Sequence, residues 1–310
     1  MYLLRTLLIL ATALVCLTCA SAPAPSKVPE DIHLGVRHLN QGAVEYQKGC
    51  YLKALQHIQE SHERFAVVDD LPGSAASLNT LANIYYRLDD LQSALLVYDE
   101  AIALFERLGQ KSGLARALAN KSAALIAVGR LDEASRCLDH ADEISKNAHI
   151  MESLRLKTRA LLCIARENPR GAETLLIAAL KTASQSEREF LADIHYTLAQ
   201  LKMSIQKSQD AVSHLQTALS LDRASGAYFS IGLDLAALGS CYENLADSAE
   251  AVNYYKRSLK IFALLEARSK VQWVRSRLES SAGKAGLNLE PILHWTEQWA
   301  SGLNQAGLCN

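Results

Sequence analysis

The chain has few residues whose types and spacing could support chemistry, and the closest pair of histidines is the first to consider. His57 and His62 stand five residues apart. Two histidines on a helix share one metal ion when they are four residues apart, because that spacing places both rings on one face. A spacing of five turns the rings to different sides. The sequence therefore predicts no metal site here.

The seven cysteines are the next candidates for chemistry. Two of them, Cys16 and Cys19, belong to an apolar N-terminal segment. The other five are odd in number and irregular in spacing: Cys50, Cys137, Cys163, Cys241 and Cys309. This pattern favours free thiols buried in helix packing over a disulfide framework or a zinc site. Cys309, close to the end of the sequence, is expected to be exposed.

No known catalytic pattern is present. The sequence has no G-x-S-x-G elbow, no phosphate-binding loop and no G-x-G-x-x-G segment. Lys and Arg number 32 against 33 Asp and Glu, so the basic surface that nucleic acid requires is missing. We predict a protein that is not an enzyme, has no cofactor and binds protein or peptide rather than nucleic acid.

The N-terminus has the layout of a secretory signal peptide over residues 1–22, followed by a flexible linker over residues 23–30. Arg5 precedes an uncharged, mostly apolar run from Thr6 to Cys19. The run is short for a membrane-spanning helix, which needs about 20 apolar residues. A weak signal anchor is the alternative interpretation.

Two processing sites compete at the end of this segment. Ala20-Ser21-Ala22 fits a signal-peptidase cleavage site. Cys16–Cys19 resembles a bacterial lipobox, in which Cys19 would carry the lipid; Cys16 and Thr18 depart from the Leu and the small residue that the pattern prefers. Both readings predict secretion across the inner membrane. The product is periplasmic, or anchored to the outer membrane if Cys19 is lipidated, and it contacts a membrane only through this segment.

Six units of about 40 residues follow. They align on Ala54, Ala94, Ala134, Ala172, Ala211 and Ala251, with separations of 40, 40, 38, 39 and 40. In every unit a small residue lies twelve positions before the alanine, a large apolar residue four positions after it, and a small residue seven positions after it. Offsets of four and seven share one helix face. The pattern predicts an all-α chain of closely packed helix pairs that must stack to complete a core.

Two units resemble the tetratricopeptide repeat. The residues that carry the resemblance are Leu78, Leu81, Ala82, Tyr85, Ala94, Tyr98 and Ala101, and then Leu235, Leu238, Gly239, Tyr242, Ala251 and Tyr255. The units at Ala54, Ala172 and Ala211 are degenerate, with His38 and His195 in place of a leading apolar residue. We expect these two histidines at packing positions, and His57 and His214 at the surface. The period is similar to that of kinesin light chains and bacterial peptide-sensing regulators.

The resemblance implies a right-handed superhelical solenoid over residues 31–265, with capping helices over residues 266–310. It also implies a concave groove lined by the first helix of each pair. The groove residues that it predicts are Asn79, Asn83, Tyr86, Arg87, Ile126, Lys157, Leu161, Ile164, Tyr196, Gln200, Met203, Glu243 and Asn244. Asn79 and Asn83 lie four apart and resemble asparagines that grip a peptide backbone in kinesin-type repeats. The apolar middle of the groove either accepts an apolar side chain or only packs the superhelix.

The C-terminal segment is predicted to be helical from Leu265 to Leu278, to break at Ser280–Gly283, and to form a last helix from near Pro291. Ile292, Trp295, Trp299 and Leu303 share a stripe that either caps the solenoid or docks a partner.

These observations favour an envelope scaffold that holds a partner segment in the groove. The alternatives are a peptide-sensing regulator and an accessory subunit of an envelope assembly or secretion system.

Overall fold

The computed structural model describes residues 29–145, 151–300 and 308–309, and within these ranges it contains helices and no strand. The signal segment with Cys16 and Cys19 lies outside the described residues, as do Leu303 and the side chain of Trp299. The fourteen helices of the described ranges are α1 Glu30–Lys48, α2 Tyr51–Val67, α3 Leu71–Arg87, α4 Leu91–Arg107, α5 Lys111–Ala127, α6 Leu131–Ser145, α7 Glu152–Ala165, α8 Pro169–Thr182, α9 Arg188–Ser204, α10 Ser208–Ser225, α11 Tyr228–Asn244, α12 Ser248–Leu264, α13 Arg268–Ala285 and α14 Glu290–Ala300. None of these helices combines the length and apolar composition that a membrane crossing requires.

The predicted repeat core is confirmed. All six of the alanines that define the units are fully buried, as are the large residues four positions later. The two helices of a unit approach so closely that the position twelve residues before the alanine must be small. A methyl group on Gly42 would lie only 2.5 Å from Cδ1 of Ile58 on the facing helix. Each unit therefore packs two helices at a distance that a larger side chain at this position would prevent.

The helices form two layers. The two helices of each unit pack against one another, and the first helices of successive units, from α1 through α3, α5, α7 and α9 to α11, also contact each other. These first helices form the inner layer of a helical repeat solenoid. The second helices lie outside them.

The turns between paired helices follow the sequence signals. Asp90, Asn168 and Asp247 each cap the helix that follows by accepting a hydrogen bond from a backbone N–H at 3.0–3.1 Å. The residue before the cap often adopts a left-handed conformation, as at Asp89 and Ala246. Local chemistry thus ends one helix and begins the next within about three residues.

The predicted break at Ser280–Gly283 is wrong. Helix α13 continues through these residues to Ala285 and ends at Gly286, while a turn at Glu266 separates it from α12. The helix persists because Ser281 and Ala282 are buried, and the Ser281 hydroxyl donates to Glu243 Oε1 at 2.7 Å. The start of α14 at Glu290, next to Pro291, agrees with the prediction. Helices α13 and α14 both pack against α12.

The solenoid closes on itself, and a disulfide lies at the closure. Helix α11 contacts α1, and the rings of Tyr51 and Phe229 meet edge-on at 5.1 Å. Gly49 has a φ of +91° and lies so close to Phe229 that a side chain there would clash. Cys50 is bonded to Cys309 across 259 residues of sequence, with the Cα atoms 5.4 Å apart. The expectation of free thiols is therefore wrong for these two cysteines. Cys137, Cys163 and Cys241 are free.

Candidate binding cavity

The closure creates a cavity of about 270 Å³ inside the ring of helices. Its walls are the C-terminal ends of α1 and α3, the N-terminal ends of α9 and α11, and the end of α10. The lining residues are Tyr46, Gln47, Tyr51, Arg87, Glu189, Phe190, Asp193, Tyr196, Asp222, Ala227, Ser230, Leu233 and Asp234. Units one, two, five and six thus meet at one place.

A cross-cavity hydrogen-bond pattern holds the two sides together. Gln47 on α1 donates from Nε2 to the Glu189 carboxylate on α9 and to the Ser225 carbonyl oxygen, at 3.2 Å, at the end of α10. Burial raises the pKa of Glu189, while the Gln47 hydrogen bond and Arg87 oppose that rise. The first unit is therefore linked to the fifth by polar contacts as well as by apolar packing.

The inner surface is rich in charge. Arg87 and Asp193 project into the cavity, and the Lys157 ammonium pairs with the Asp193 carboxylate. Burial alone would raise the pKa of Asp193, but Lys157 and Arg87 outweigh it and hold that pKa below its usual value. Asp193 is consequently ionised at neutral pH.

Two further carboxyl groups lie deeper. Asp222 is 4% exposed and Asp234 is 1% exposed, and their carboxyl groups lie close enough to share a hydrogen bond. Such a bond requires a proton, because two carboxylates have no donor between them. Burial, with the charges of Asp193 and Glu189, raises the pKa of Asp222 to about 7. Burial and the neighbouring Asp222 raise the pKa of Asp234 to about 9. The pair therefore keeps a proton at neutral pH.

Aromatic rings form much of the remaining wall. Tyr46 and Tyr51 come from the first unit, and Phe190 and Tyr196 come from α9. Burial raises the pKa of Tyr196 to about 12. A wider recess of about 740 Å³, lined by Arg116 and Met151 among others, shares Gln47, Glu189 and Phe190 with the cavity and adjoins it. The cavity and the recess are therefore separated by one shared wall.

Five of the groove residues predicted from the sequence lie in or beside this cavity. Arg87 and Tyr196 line it, and Lys157 reaches it through Asp193. Tyr86 is half-buried within the electrostatic range of Arg87 and Asp193. Gln200 lies close to the Tyr196 hydroxyl group.

Three polar groove residues are instead hydrogen-bonded to tyrosines of the solenoid or buried in it. Asn83 accepts a hydrogen bond of 2.6 Å from the Tyr98 hydroxyl, and Glu243 accepts one of 2.6 Å from the Tyr255 hydroxyl. Asn79 is buried, and its Oδ1 has no hydrogen-bond partner among the described residues. The two tyrosines occupy the same repeat position, and each donates to a polar residue on the first helix of its own unit.

The apolar groove residues lie elsewhere. Ile126, Ile164 and Met203 are half-buried and pack against the clusters between helices. Leu161 is half-buried and Asn244 is exposed. None of these five lines the cavity.

The two histidines that depart from the repeat pattern each pair with a second histidine. Nδ1 of His38 lies 3.2 Å from Nδ1 of His57, and Nδ1 of His195 lies 3.1 Å from Nδ1 of His214. All four are half-buried, so the expectation that His57 and His214 are surface residues is wrong. In units one and five, the histidine that replaces an apolar residue on the first helix therefore contacts a histidine on the second helix. No group of three or more potential metal ligands forms anywhere in the described ranges.

Sequence reasoning missed the acidic part of the cavity. The sequence does contain one signal for Asp234: it is the only charged residue between Arg223 and Glu243, in a segment that is otherwise mostly apolar. Burial of such a residue requires a partner. Nothing in the sequence indicated that its partner would be Asp222, or that Tyr46 and Tyr51 of the first unit would face both.

Comparisons with known proteins agree with this fold. The tetratricopeptide repeat model matches residues 36–107 and, in a second form, residues 235–263. Among curated protein sequences, none matches the chain.

Three solved structures are similar, each with a TM-score of 0.60. A Rap protein complexed with competence and sporulation factor is 14% identical, over 83% of this chain and 77% of that one. The Rap conjugation gene regulator of plasmid pLS20, in complex with the Phr* peptide, is 12% identical over 90% and 81%. A signal transduction ATPase with a tetratricopeptide repeat sensor, from Pyrococcus horikoshii, is 17% identical over 86% and 40%. At these identities the likeness concerns the fold. Repeat core, family models and structural neighbours together identify this chain as a helical repeat solenoid with tetratricopeptide repeats at residues 36–107 and 235–263.

Proposed function

We propose that the protein binds a peptide, or an extended segment of a partner protein, in the cavity where units one and six meet. The single observation that carries this proposal is the cavity itself, concave and lined by four aromatic rings and five charged side chains. Sites of this kind combine apolar walls with a few polar groups that orient a ligand. The chemistry is recognition without catalysis.

Two further points support a peptide as the ligand. Two of the similar structures are complexes, one with competence and sporulation factor and one with the Phr* peptide. The adjoining recess provides space for the rest of an extended chain. A peptide-sensing regulator and a scaffold that holds a partner segment would both use this site.

Blocking the cavity is expected to weaken peptide binding at least tenfold. Ser230 is a half-buried lining residue, and the substitution Ser230→Trp would fill the space that a ligand needs. A displayed library of random hexapeptides is selected on the purified protein, and the dissociation constants of the enriched peptides are measured. We expect at least a tenfold weaker affinity for Ser230→Trp, because the indole ring would exclude the peptide from part of the cavity. A tenfold change corresponds to about 1.4 kcal/mol of binding free energy.

The matched control is Ser213→Trp, which adds the same side chain at an exposed position of α10 outside the cavity. Circular dichroism checks that both variants fold. If Ser230→Trp binds the enriched peptides as tightly as Ser213→Trp does, the ligand lies elsewhere on the protein.

We propose further that the protein works in the cell envelope. The apolar segment before Ala22 supports export. The Cys50–Cys309 bond supports the same compartment, because disulfides persist in oxidising environments and are rare in the cytosol. An accessory role in an envelope assembly or secretion system is compatible with both observations.

If Cys19 is lipidated, the lipid on this residue anchors the protein to the membrane. The substitution Cys19→Ser is expected to move the protein from the membrane fraction to the soluble periplasmic fraction, whereas Cys16→Ser should leave it in place. Persistence of Cys19→Ser in membranes would exclude this anchor. The mass of the mature N-terminus separates cleavage after Ala22 from lipidation, and an intact Met1 would favour a cytoplasmic sensor.

A further inference from the structure

The carboxyl pair of Asp222 and Asp234 lines the cavity, and no residue of opposite charge in the described part of the chain forms an ion pair with it. The two carboxyl groups can share a proton, because they lie within hydrogen-bonding reach of each other. As a carboxylate, Asp234 has an Oδ2 atom with no donor among the described residues, although it is buried. A buried, unpartnered carboxylate oxygen is costly, so an arrangement of this kind calls for an outside donor.

The charged groups around the pair make the electrostatic potential at this end of the cavity negative. The titratable and charged groups that act on it are Asp193 and Glu189 from α9, Arg87 from α3, Arg223 at the end of α10, Tyr51 from α2 and Tyr196 from α9. Four carboxyl groups line the cavity, against one guanidinium group. Lys157 pairs with Asp193, and Arg87 and Arg223 offset only part of the negative charge around Asp222 and Asp234.

We propose that Asp222 and Asp234 form the subsite for one positively charged group of a bound peptide. This inference rests on the proposed function and names the chemistry of the ligand at that site. A cationic group supplies the N–H donors that the carboxylate oxygens lack, and charge-assisted hydrogen bonds of this kind are about twice as strong as neutral ones. The rings of Tyr51, Phe190 and Tyr196 line the same cavity and favour a cation over an anion.

Binding exchanges a proton for the cation. In the empty cavity the pair holds a shared proton at neutral pH; when a cationic group arrives, that proton leaves to solvent and both carboxylates become acceptors. Affinity must therefore rise as the pH increases from about 6 toward 9, across the raised pKa values of Asp222 and Asp234. A carboxyl pair that only stabilises the fold would give no such dependence of peptide affinity on pH.

The test uses the hexapeptide library in two halves, one N-acetylated and one with a free N-terminus. Wild-type protein is expected to enrich peptides with one cationic group at a fixed position. For those peptides we expect Asp234→Asn to bind at least tenfold more weakly and to lose the rise of affinity with pH. The control Asp210→Asn removes the same charge from an exposed position of α10 and should bind as wild type does.

The two halves distinguish the source of the charge. Lysine and arginine side chains stay charged up to pH 9, so affinity continues to rise, whereas an α-ammonium group, with a pKa near 8, gives an affinity maximum. Asp222→Asn provides a second variant if Asp234→Asn does not fold. Enrichment without a cationic preference, or a preference that survives both Asn variants, overturns the inference and leaves the proposed function standing. If wild type enriches no peptide at all, both fail.

Discussion

Reducing the disulfide between Cys50 and Cys309 is expected to lower the free energy of unfolding by about 5 kcal/mol, which is the loop-closure value for a bond that spans so long a segment. The bond separates its cysteines by 259 residues and joins the first unit to the end of the described chain. Without it the unfolded chain gains freedom, while the folded chain loses its covalent closure. Thermal unfolding with and without reductant should show a shift of roughly 10 °C or more.

The double variant Cys50→Ser, Cys309→Ser should reproduce the reduced wild type. Cys163→Ser is the control, because it removes a half-buried free thiol. Reduction should also weaken the affinity for peptides, since Cys50 is adjacent to Tyr51 in the cavity wall. Equal melting temperatures for reduced and oxidised protein would show that the noncovalent contacts of α1 with α11 are sufficient to hold the closure.

Replacing Tyr255 with alanine is expected to destabilise the protein by about 3–5 kcal/mol, the range for removal of a large buried ring. Tyr255 is fully buried, and a methyl group on Gly239 would lie only 2.7 Å from its ring, so the ring fills the space between α11 and α12. Its hydroxyl bonds to Glu243 at 2.6 Å and to Ser240 at 3.0 Å. Urea unfolding followed by circular dichroism measures the loss.

Tyr255→Phe keeps the ring and removes only the hydroxyl, so a loss of about 1 kcal/mol is expected. The difference between the two variants therefore measures the packing alone. Equal losses would mean that the hydrogen bonds, rather than the ring, hold this unit. Because α11 also contacts α1, the alanine variant should loosen the cavity as well.

The groove prediction assigned side chains by repeat position, and this assignment places all of them on the first helices of the units. Arg87 and Tyr196 reach the cavity from positions that the repeat pattern assigns to the inner face. Ile126 and Ile164 occupy similar positions but pack between helices, because only units one, two, five and six line the cavity. Repeat position specifies the inner layer, and the closure specifies which part of that layer surrounds a cavity.

The sequence by itself determined the helices, their pairing and their buried face. Each of these depends on contacts within about 40 residues: a small residue such as Gly239, a large one such as Tyr255, and a cap such as Asp247. Local interactions of this kind appear directly as spacing in the sequence, and the six buried alanines follow from them.

Only the tertiary structure decided the ring closure, the Cys50–Cys309 bond and the position of Tyr51 opposite Asp222 and Asp234. The closure depends on the sum of small rotations from one unit to the next, and no single unit encodes that sum. Residues that are more than 170 positions apart become neighbours through it. Their proximity leaves no periodic trace in the sequence, so the acidic cavity could be identified only after the solenoid had been followed through its full turn.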